Sequence, residues 1–554
     1  MKKIYFILAA LMLLAFPASA SNPEITETEP GAGVYCGDPA ATVVDTDGDG
    51  EGDTVYLYVG QDDSTSGYYR MPRYLCYSST DMVNWKYEGS PMSANDFTGW
   101  GGTDESWAGQ VIEYNGKFYY YMCKNASGIS VGVADSPTGP FTALEGGPLV
   151  WRELTDGSVW QRTIDPTVWI ETDENGVEHR YLGYGNGNIY LAELNEDMTS
   201  IMDIDGSGDL NKGDIKELIV EGWPSGIGFT EAPWIYRRPG DSRYYLFFAS
   251  RWREELSYAT ADNIWGPYQY GGTVMAVGAS SNTNHPAVID FKGETYIIYH
   301  TGARERGSGY SRSVCIDRLH FDENGEVAQL EESSIGLDGT ASILTLGGER
   351  LSQRHFDNSL ADSAYPMGTD LVIGGSELYE TDSQWEIIPG LIGGENHVSL
   401  QSVNKMGYYI TDYNGFVKLL HDGEGSEGSK TKRTFIKRET DEGTAYESLS
   451  SPGKYLNVNG HGEIVLTDEP AYFAVTELAK PALTVSADGA VIRVTGHSRP
   501  GATLAVVLTG DETAIVFAEA DENGSFECSF SPAPGAYTVN AAGLTAKITT
   551  GGAL

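Results

Sequence analysis

The chain reads as all-β, with three units in succession: a five-bladed β-propeller, a β-trefoil and a C-terminal immunoglobulin-like β-sandwich. Three observations predict this order: a strand–turn unit written five times before residue 330, a looser pattern written three times between 349 and 479, and alternation of apolar and polar residues from 480 onward. At 554 residues the chain is long enough for three or four domains.

The first unit rests on its repeat. Five aromatic stretches recur: Thr54-Val-Tyr-Leu-Tyr-Val-Gly60, Lys117-Phe-Tyr-Tyr-Tyr-Met122, Arg180-Tyr-Leu-Gly-Tyr-Gly185, Arg243-Tyr-Tyr-Leu-Phe-Phe248 and Glu294-Thr-Tyr-Ile-Ile-Tyr-His300. Each is followed by a second strand-like stretch, at 75–79, 129–134, 189–193, 256–260 and 313–317. Three of the turns that follow close on an aromatic, at Trp85, Phe141 and Tyr268. A repeat of roughly 60 residues made of strands and turns predicts a propeller over 31–335. The first strand of each blade would line a central axis, so residues at the starts of different repeats would meet there.

The second unit, 349–479, carries corresponding strand ends at Trp385, Phe435 and Phe473 and corresponding starts at 402–410 and 448–456. Three copies of about 40–50 residues predict a trefoil. The third, 480–554, alternates strictly, with Gly, Pro and Asp in its turns, which predicts a small sandwich. A polar stretch at 21–30 reads as a linker.

Residues 1–20 read as a bacterial-type secretory signal peptide: Lys2-Lys3, an apolar run from Ile4 to Phe16, then Ala18-Ser19-Ala20 as the cleavage site. No stretch is long enough to span a bilayer, so a secreted protein without a membrane span is expected. The net charge of −42, from 36 basic and 78 acidic residues, argues against nucleic acid and anionic membrane as partners. Five cysteines show no metal-binding spacing and read as small buried residues. The expected form is a monomer without an organic cofactor.

Three acids stand at the starts of different repeats: Asp38 in Cys36-Gly-Asp-Pro39, Asp165 in Thr163-Ile-Asp-Pro166, and Glu231 in Phe229-Thr-Glu-Ala-Pro233. Each lies just ahead of a proline, which restricts the preceding residue and makes a rigid mount. A single Asp-Pro is ordinarily a turn; three at corresponding positions point to a shared site. Cleavage of a glycosidic bond needs one carboxyl protonated and another ionised on either side of it. A third acid nearby keeps the donor protonated by like-charge repulsion.

On these motifs, residues 34–330 resemble glycoside hydrolase family 43. The resemblance implies an inverting mechanism with Asp38 as general base, Glu231 as general acid and Asp165 as modulator of the acid's pKa. It also implies substrate-binding roles for Trp107 of Glu105-Ser-Trp-Ala108, for the axial His285 of Asn284-His-Pro286, and for Arg312, expected to contact the modulator and the substrate. Inversion places Asp38 and Glu231 roughly 6.5–9.5 Å apart, with room for the attacking water. Asp104 and Glu105, beside Trp107, are competitors for the acid. The invertase and levansucrase type of propeller expects an Asn-Asp-Pro start, an Arg before the second Asp-Pro and a Glu-Cys acid. This chain has Gly37-Asp38, Ile164-Asp165 and Glu231-Ala232 instead.

Residues 203–214 fit a twelve-residue calcium loop, with oxygen ligands at Asp203, Asp205, Ser207, Asn211 and Asp214, the Asp209 carbonyl, and Gly208 at the turn. Position 12 is Asp, as in the calcium loops of dockerin modules. A structural Ca2+ is expected there, and 215–220 reads as a short helical turn. The similar 45–53 stretch has Tyr56 at position 12 and reads as an acidic turn.

On the strings Trp385-Glu-Ile-Ile-Pro-Gly-Leu391 and Ser402-Val-Asn-Lys-Met-Gly-Tyr-Tyr-Ile410, the second unit resembles the arabinose-binding trefoil of carbohydrate-binding module family 42. That family places a His shortly after the Tyr-Tyr pair. Thr411-Asp412 stands there, and Asn457-Val458 in the next copy, so a scaffold role stands beside sugar binding. The function these readings imply is a secreted hydrolase of arabinose- or xylose-containing plant cell-wall polysaccharide, with α-L-arabinofuranosidase first. β-Xylosidase, endo-arabinanase and a catalytically silent glycan-binding propeller are the alternatives.

Overall fold

The computed structural model describes residues 21–550 apart from 30, 101–103, 156–161, 279–280, 323, 357–367, 375–379, 423–424, 479, 481, 489–490, 499–502, 511–512, 522–523 and 542–543. The signal-peptide reading of 1–20 lies outside the described residues. The protein is nearly all β, with one short α-helix, Glu427–Lys432, among the described residues. No described helix is long and apolar enough to cross a membrane.

All ten strands that the repeat predicts are present. They are the second and third strands of five successive sheets. The first strands are Cys36–Val44, Ser106–Tyr114, Thr167–Thr172, Phe229–Tyr236 and Ala287–Phe291. Each first strand touches the first strand of the next sheet, and the fifth touches the first, so the five form a closed ring.

The aromatic runs are explained by where their strands lie. The fourth sheet's Tyr244–Ser250 is buried along its whole length, and the second sheet's Lys117–Lys124 at every residue but the first. A strand covered on both faces reads as a continuous apolar run rather than an alternation. The core accordingly sits between neighbouring sheets: Tyr58, Tyr74 and Tyr120 between the first and second, and Tyr181, Ile235, Leu246 and Phe248 between the third and fourth.

The fifth sheet has three strands of its own, Ala287–Phe291, Glu294–Thr301 and Ser313–Arg318. The segment expected as a linker covers its outer edge. Ile25 is buried and bridges Val314 antiparallel, and the Glu24 amide donates to the Val314 carbonyl at 2.9 Å. Asn22 mimics a further strand residue. Its Oδ1 accepts the Ile316 amide at 2.9 Å, and its Nδ2 donates to the carbonyls of Ile316 and Ser333 and to Asp317. Polarity misled the sequence reading: these side chains are polar because they satisfy a sheet edge that would otherwise lie open.

Two other expectations change. Residues 215–218 form a strand, Ile215–Leu218, the outer strand of the third sheet, and the only helical turn there is Lys212–Asp214. The second body begins at Ser342–Leu346, ahead of residue 349, because that strand pairs with both Gln384–Pro389 and Ala474–Glu477. Twelve strands surround a core of Leu344, Trp385, Leu400, Tyr408, Phe435, Tyr446 and Phe473. This body packs on the fifth sheet: Met406 Sδ lies 3.8 Å from Cys315 Sγ, Lys430 pairs with Glu305 at 2.7 Å, and Asn404 donates to Glu331. The last body is two sheets of three and four strands around Ile492, Val494, Leu508, Phe526 and Val539. All five cysteines are free, four of them buried.

Asn22→Ala removes four hydrogen bonds at a buried edge and leaves the Ile316 amide without its acceptor. It should lower stability by about 2–3 kcal/mol, read as a lower urea midpoint. An unchanged midpoint would mean that the segment does not fasten the fifth sheet.

Candidate active site

Asp38 and Glu231 lie within first strands and Asp165 just ahead of one, so the ring brings all three to one end of its axis. The mount is more specific than the sequence implies. In each motif the residue directly before proline has a left-handed backbone: Asp38 at φ 53°, Asp165 at φ 58° and Ala232 at φ 58°. The strand pairing shifts at the same places, between Gly37 and Ala40 and on both sides of Glu231. These are bulges, which re-aim a side chain at the cost of about 1–3 kcal/mol of local strain for each left-handed residue.

The three acids line one pocket with Tyr69, Met71, Trp107, Ile164, Thr283, His285 and Arg312. All six residues expected at the catalytic and substrate-binding positions therefore meet. Trp107 is held by its Nε1, which donates to the Tyr69 carbonyl at 2.8 Å. Asp104 and Glu105 are engaged elsewhere, Asp104 with Arg70 at 2.7 Å and Glu105 with the Asn125 amide at 2.6 Å. Neither lines the pocket.

Arg312 organises the acids, but not as expected. It binds Asp38 rather than Asp165, with Nη1 at 2.6 Å from Asp38 Oδ1. On its other side lies Asp62, which the sequence did not reveal. Asp62 accepts from Arg312 Nε at 3.0 Å, Nη2 at 2.8 Å and the backbone amide at 2.8 Å. The guanidinium lies over the Tyr69 ring, 5.6 Å from its centre. Gly37 leaves room for it, since a Cβ there would stand 2.5 Å from the guanidinium carbon.

This arrangement separates the acids electrically. Burial alone would raise the Asp38 carboxyl. Burial is the largest single influence, but the influences opposing it, Arg312 first among them through its charge and its hydrogen bond, together hold the carboxyl below the usual carboxylate range. His300 and His285 face the same carboxyl, but burial pushes them down to about 3 and about 4, so they are neutral at neutral pH. His300 Nδ1 accepts the Asp38 amide at 3.2 Å and fixes the bulge. Burial and the Asp38 charge raise Glu231 to about 7. Burial, then the charges of Glu231 and Asp38, raise Asp165 well above its ordinary value. Asp165 Oδ2 accepts the Ala232 amide at 3.0 Å, so it positions Glu231 through the next residue's backbone.

Three further groups at this end of the ring carried no sequence signal: His300, Asn186, whose Nδ2 donates to Glu231 Oε2 at 2.7 Å, and the buried Glu254. Glu254 sits in Arg253-Glu-Glu255, which reads as a charged surface turn.

The expected calcium ligands also converge. Oxygens of Asp203, Asp205 and Asp214 lie within 4.8 Å of one another, and Asp214 is fully buried. Asp205 Oδ2, Ser207 Oγ and the Asp209 carbonyl all accept from Asn211 Nδ2, at 3.0, 2.8 and 2.9 Å. One donor thus gathers three oxygens as a cation would, and the all-oxygen set suits a hard ion. The loop borders the outer strand of the third sheet. Asp45, Asp47 and Asp49 also cluster, in an exposed turn.

At the position in the second body where the resemblance expects His, Asp412 is buried and already satisfied. Its Oδ2 accepts from Ser448 and Ser450, both at 2.7 Å. Asn457 likewise donates to Thr467 and to the Glu469 carbonyl.

Comparison with known proteins gives two family matches. Residues 45–327 match the model for glycosyl hydrolases family 43, and 359–469 match the α-L-arabinofuranosidase B (ABFB) domain. A xylosidase/arabinosidase of Bacteroides ovatus is 28% identical over 54% of this chain and 96% of its own length. An arabinoxylan arabinofuranohydrolase of Paenibacillus polymyxa is 30% identical, over 47% of this chain and 44% of its own. Among solved structures, a β-xylosidase/α-arabinofuranosidase from a compost microbial metagenome is 21% identical with a TM-score of 0.45, covering 56% of this chain and 97% of its own.

Arg312→Met leaves Asp38 and Asp62 buried without their cation. Loss of about 3–5 kcal/mol is expected in urea unfolding at pH 7, shrinking at low pH as Asp38 becomes protonated.

Proposed function

The chain belongs to glycosyl hydrolases family 43, and from that premise we propose that it is an exported, monomeric, inverting enzyme that releases terminal α-L-arabinofuranosyl units from plant cell-wall polysaccharide. The observation that carries the reading is the electrical separation of two acids in one pocket: Asp38 held ionised by Arg312, and Glu231 raised to about 7. Asp38 takes a proton from the water that attacks the anomeric carbon. Glu231 gives its proton to the leaving oxygen. Asp165 holds the Glu231 backbone and adds a like charge when ionised. Trp107 and Tyr69 offer ring faces to the sugar.

The pocket takes in about 470 Å3 with its open mouth included, and it is assigned a single terminal sugar. Names of relatives supply the arabinose, and equally a second reading: a β-xylosidase is among them, 26% identical and covered over 96% of its length. The five sheets with touching first strands are read as the five blades of a propeller, the second body as a trefoil, and the third as an immunoglobulin-like module. The trefoil is read as a scaffold, since Asp412 and Asn457 are spent on internal bonds and the body is fastened to the fifth sheet. Residues 203–214 are read as a structural calcium loop.

Glu231→Ala should lower hydrolysis of nitrophenyl α-L-arabinofuranoside by about 10²–10⁴-fold. Proton NMR of the first product should show the anomer opposite to the substrate's. Retention, or cleavage of the β-D-xyloside alone, would overturn the mechanism or the sugar respectively. Activity needs Asp38 ionised and Glu231 protonated, so the pH profile should be a bell falling through about pH 7 on its basic side. Asn186→Ala removes a donor that favours the charged Glu231 and should move that basic limb up by as much as about one unit.

Chelation should lower the melting temperature by about 5 °C with little loss of activity per folded molecule. Asp203→Ala should abolish that sensitivity.

A further inference from the structure

Glu254 stands in the turn between Tyr244–Ser250 and Glu255–Ala261, and its side chain is buried although the string Arg253-Glu-Glu255 is charged throughout. It is 2% exposed. Two backbone bonds hold it: its amide donates to the Asn282 carbonyl at 3.2 Å, and its Oε2 accepts the Asn284 amide at 2.8 Å. It therefore ties the fourth sheet to the entry of the fifth, beside His285, whose amide donates to Asn284 Oδ1 at 2.9 Å. Its second oxygen, Oε1, is buried and meets no donor among the described residues. The charged group that bears on Glu254 most strongly is the Glu231 carboxyl, followed by Asp165 and Asp38. Tyr69 also faces it.

Two carboxyls in this position cannot both be ionised without cost, and an acceptor buried without a donor costs about 1–3 kcal/mol. A proton on Glu254 removes both penalties, because the carboxyl can then donate to Glu231, whose side chain lies within hydrogen-bonding reach of it. Burial and the neighbouring negative charges favour that proton, since both raise Glu254 well above its ordinary range.

We propose that Glu254 is a positioning residue for the general acid: it stays protonated and donates a hydrogen bond from Oε1 to the Glu231 carboxyl, orienting it and stabilising the carboxylate left when Glu231 gives up its proton. The proton of Glu254 is not consumed. The leaving oxygen takes the proton of Glu231, Asp38 takes one from water, and solvent restores both. The proposal rests on Glu231 being the acid.

The test compares Glu254→Gln and Glu254→Ala on aryl glycosides of the sugar the wild type cleaves, with leaving groups of graded acidity. The amide of Gln can accept from Asn284 and donate to Glu231, so it should keep wild-type rates within about twofold and an unmoved basic limb. Ala loses the donor. It should shift the basic limb upward and slow the least acidic leaving group by roughly tenfold or more, while leaving the dinitrophenyl glycoside, which needs little protonation, nearly unchanged. An unmoved limb in Ala, or equal losses on all leaving groups, would reduce Glu254 to a structural role and overturn the proposal. A basic limb lowered in Gln would show that Glu254 acts as a charge and would also overturn it. Urea unfolding checks that Ala is folded; should it not be, the Gln variant alone still decides between donor and charge. Glu231→Gln serves as control: unless it selectively loses the poor leaving groups, the acid itself has been misassigned.

Discussion

One guanidinium decides the chemistry of this pocket. Asp38, Asp165 and Glu231 line it and Glu254 lies buried against Glu231, while Arg312 is the only lysine or arginine among the described lining residues. Carboxylates that outnumber the one cation among them cannot all be charged, because each charge would be poorly solvated and repelled by the others. The cation stabilises the charge it touches, that of Asp38. That charge in turn raises Glu231. Asp38 and Glu231 thus differ by which of them Arg312 reaches, and Asp62 matters because it holds the guanidinium from the far side at 2.8 Å.

The ring makes this possible by bringing five distant segments within a few ångströms without asking any strand to bend far. Bulges do the local work. A left-handed residue directly before proline recurs in three separate sheets, at Asp38 and Asp165 themselves and at Ala232 beside Glu231, and pairing shifts accompany it in the first and fourth. The strain is tolerated because the flanking strands are buried against their neighbours. The closed ring depends on its last sheet, whose outer edge is covered by residues 21–26. Residues 21–26 therefore support the wall that carries His285, His300 and Arg312.

The attached bodies share this logic of spent polar groups. Asp412, at a position where a sugar-binding His is expected, is consumed by two serines, and Asn457 by its own hairpin. A body whose polar groups are satisfied internally and whose edge is tied to Glu305 and Glu331 is suited to holding the fifth sheet in place. The 203–214 loop does the reverse: its oxygens gather on a single donor that a cation could replace.

By itself the sequence determined the repeat, the ten strands and the three acids, because each lies in a local string whose chemistry is readable without knowing its neighbours; Trp107, His285 and Arg312 were named as their companions by the family resemblance. Polarity alone misplaced 21–30 as a linker, and a helix-like string misplaced 215–218, since a sheet edge in need of partners overrides local preference. Only the tertiary structure showed that Arg312 serves Asp38 rather than Asp165, and that Asp62, Asn186, His300 and Glu254 belong to the same site. These residues carry no motif. Their roles come from burial and from charges contributed by other sheets, and both are properties of the closed ring rather than of any segment of the chain.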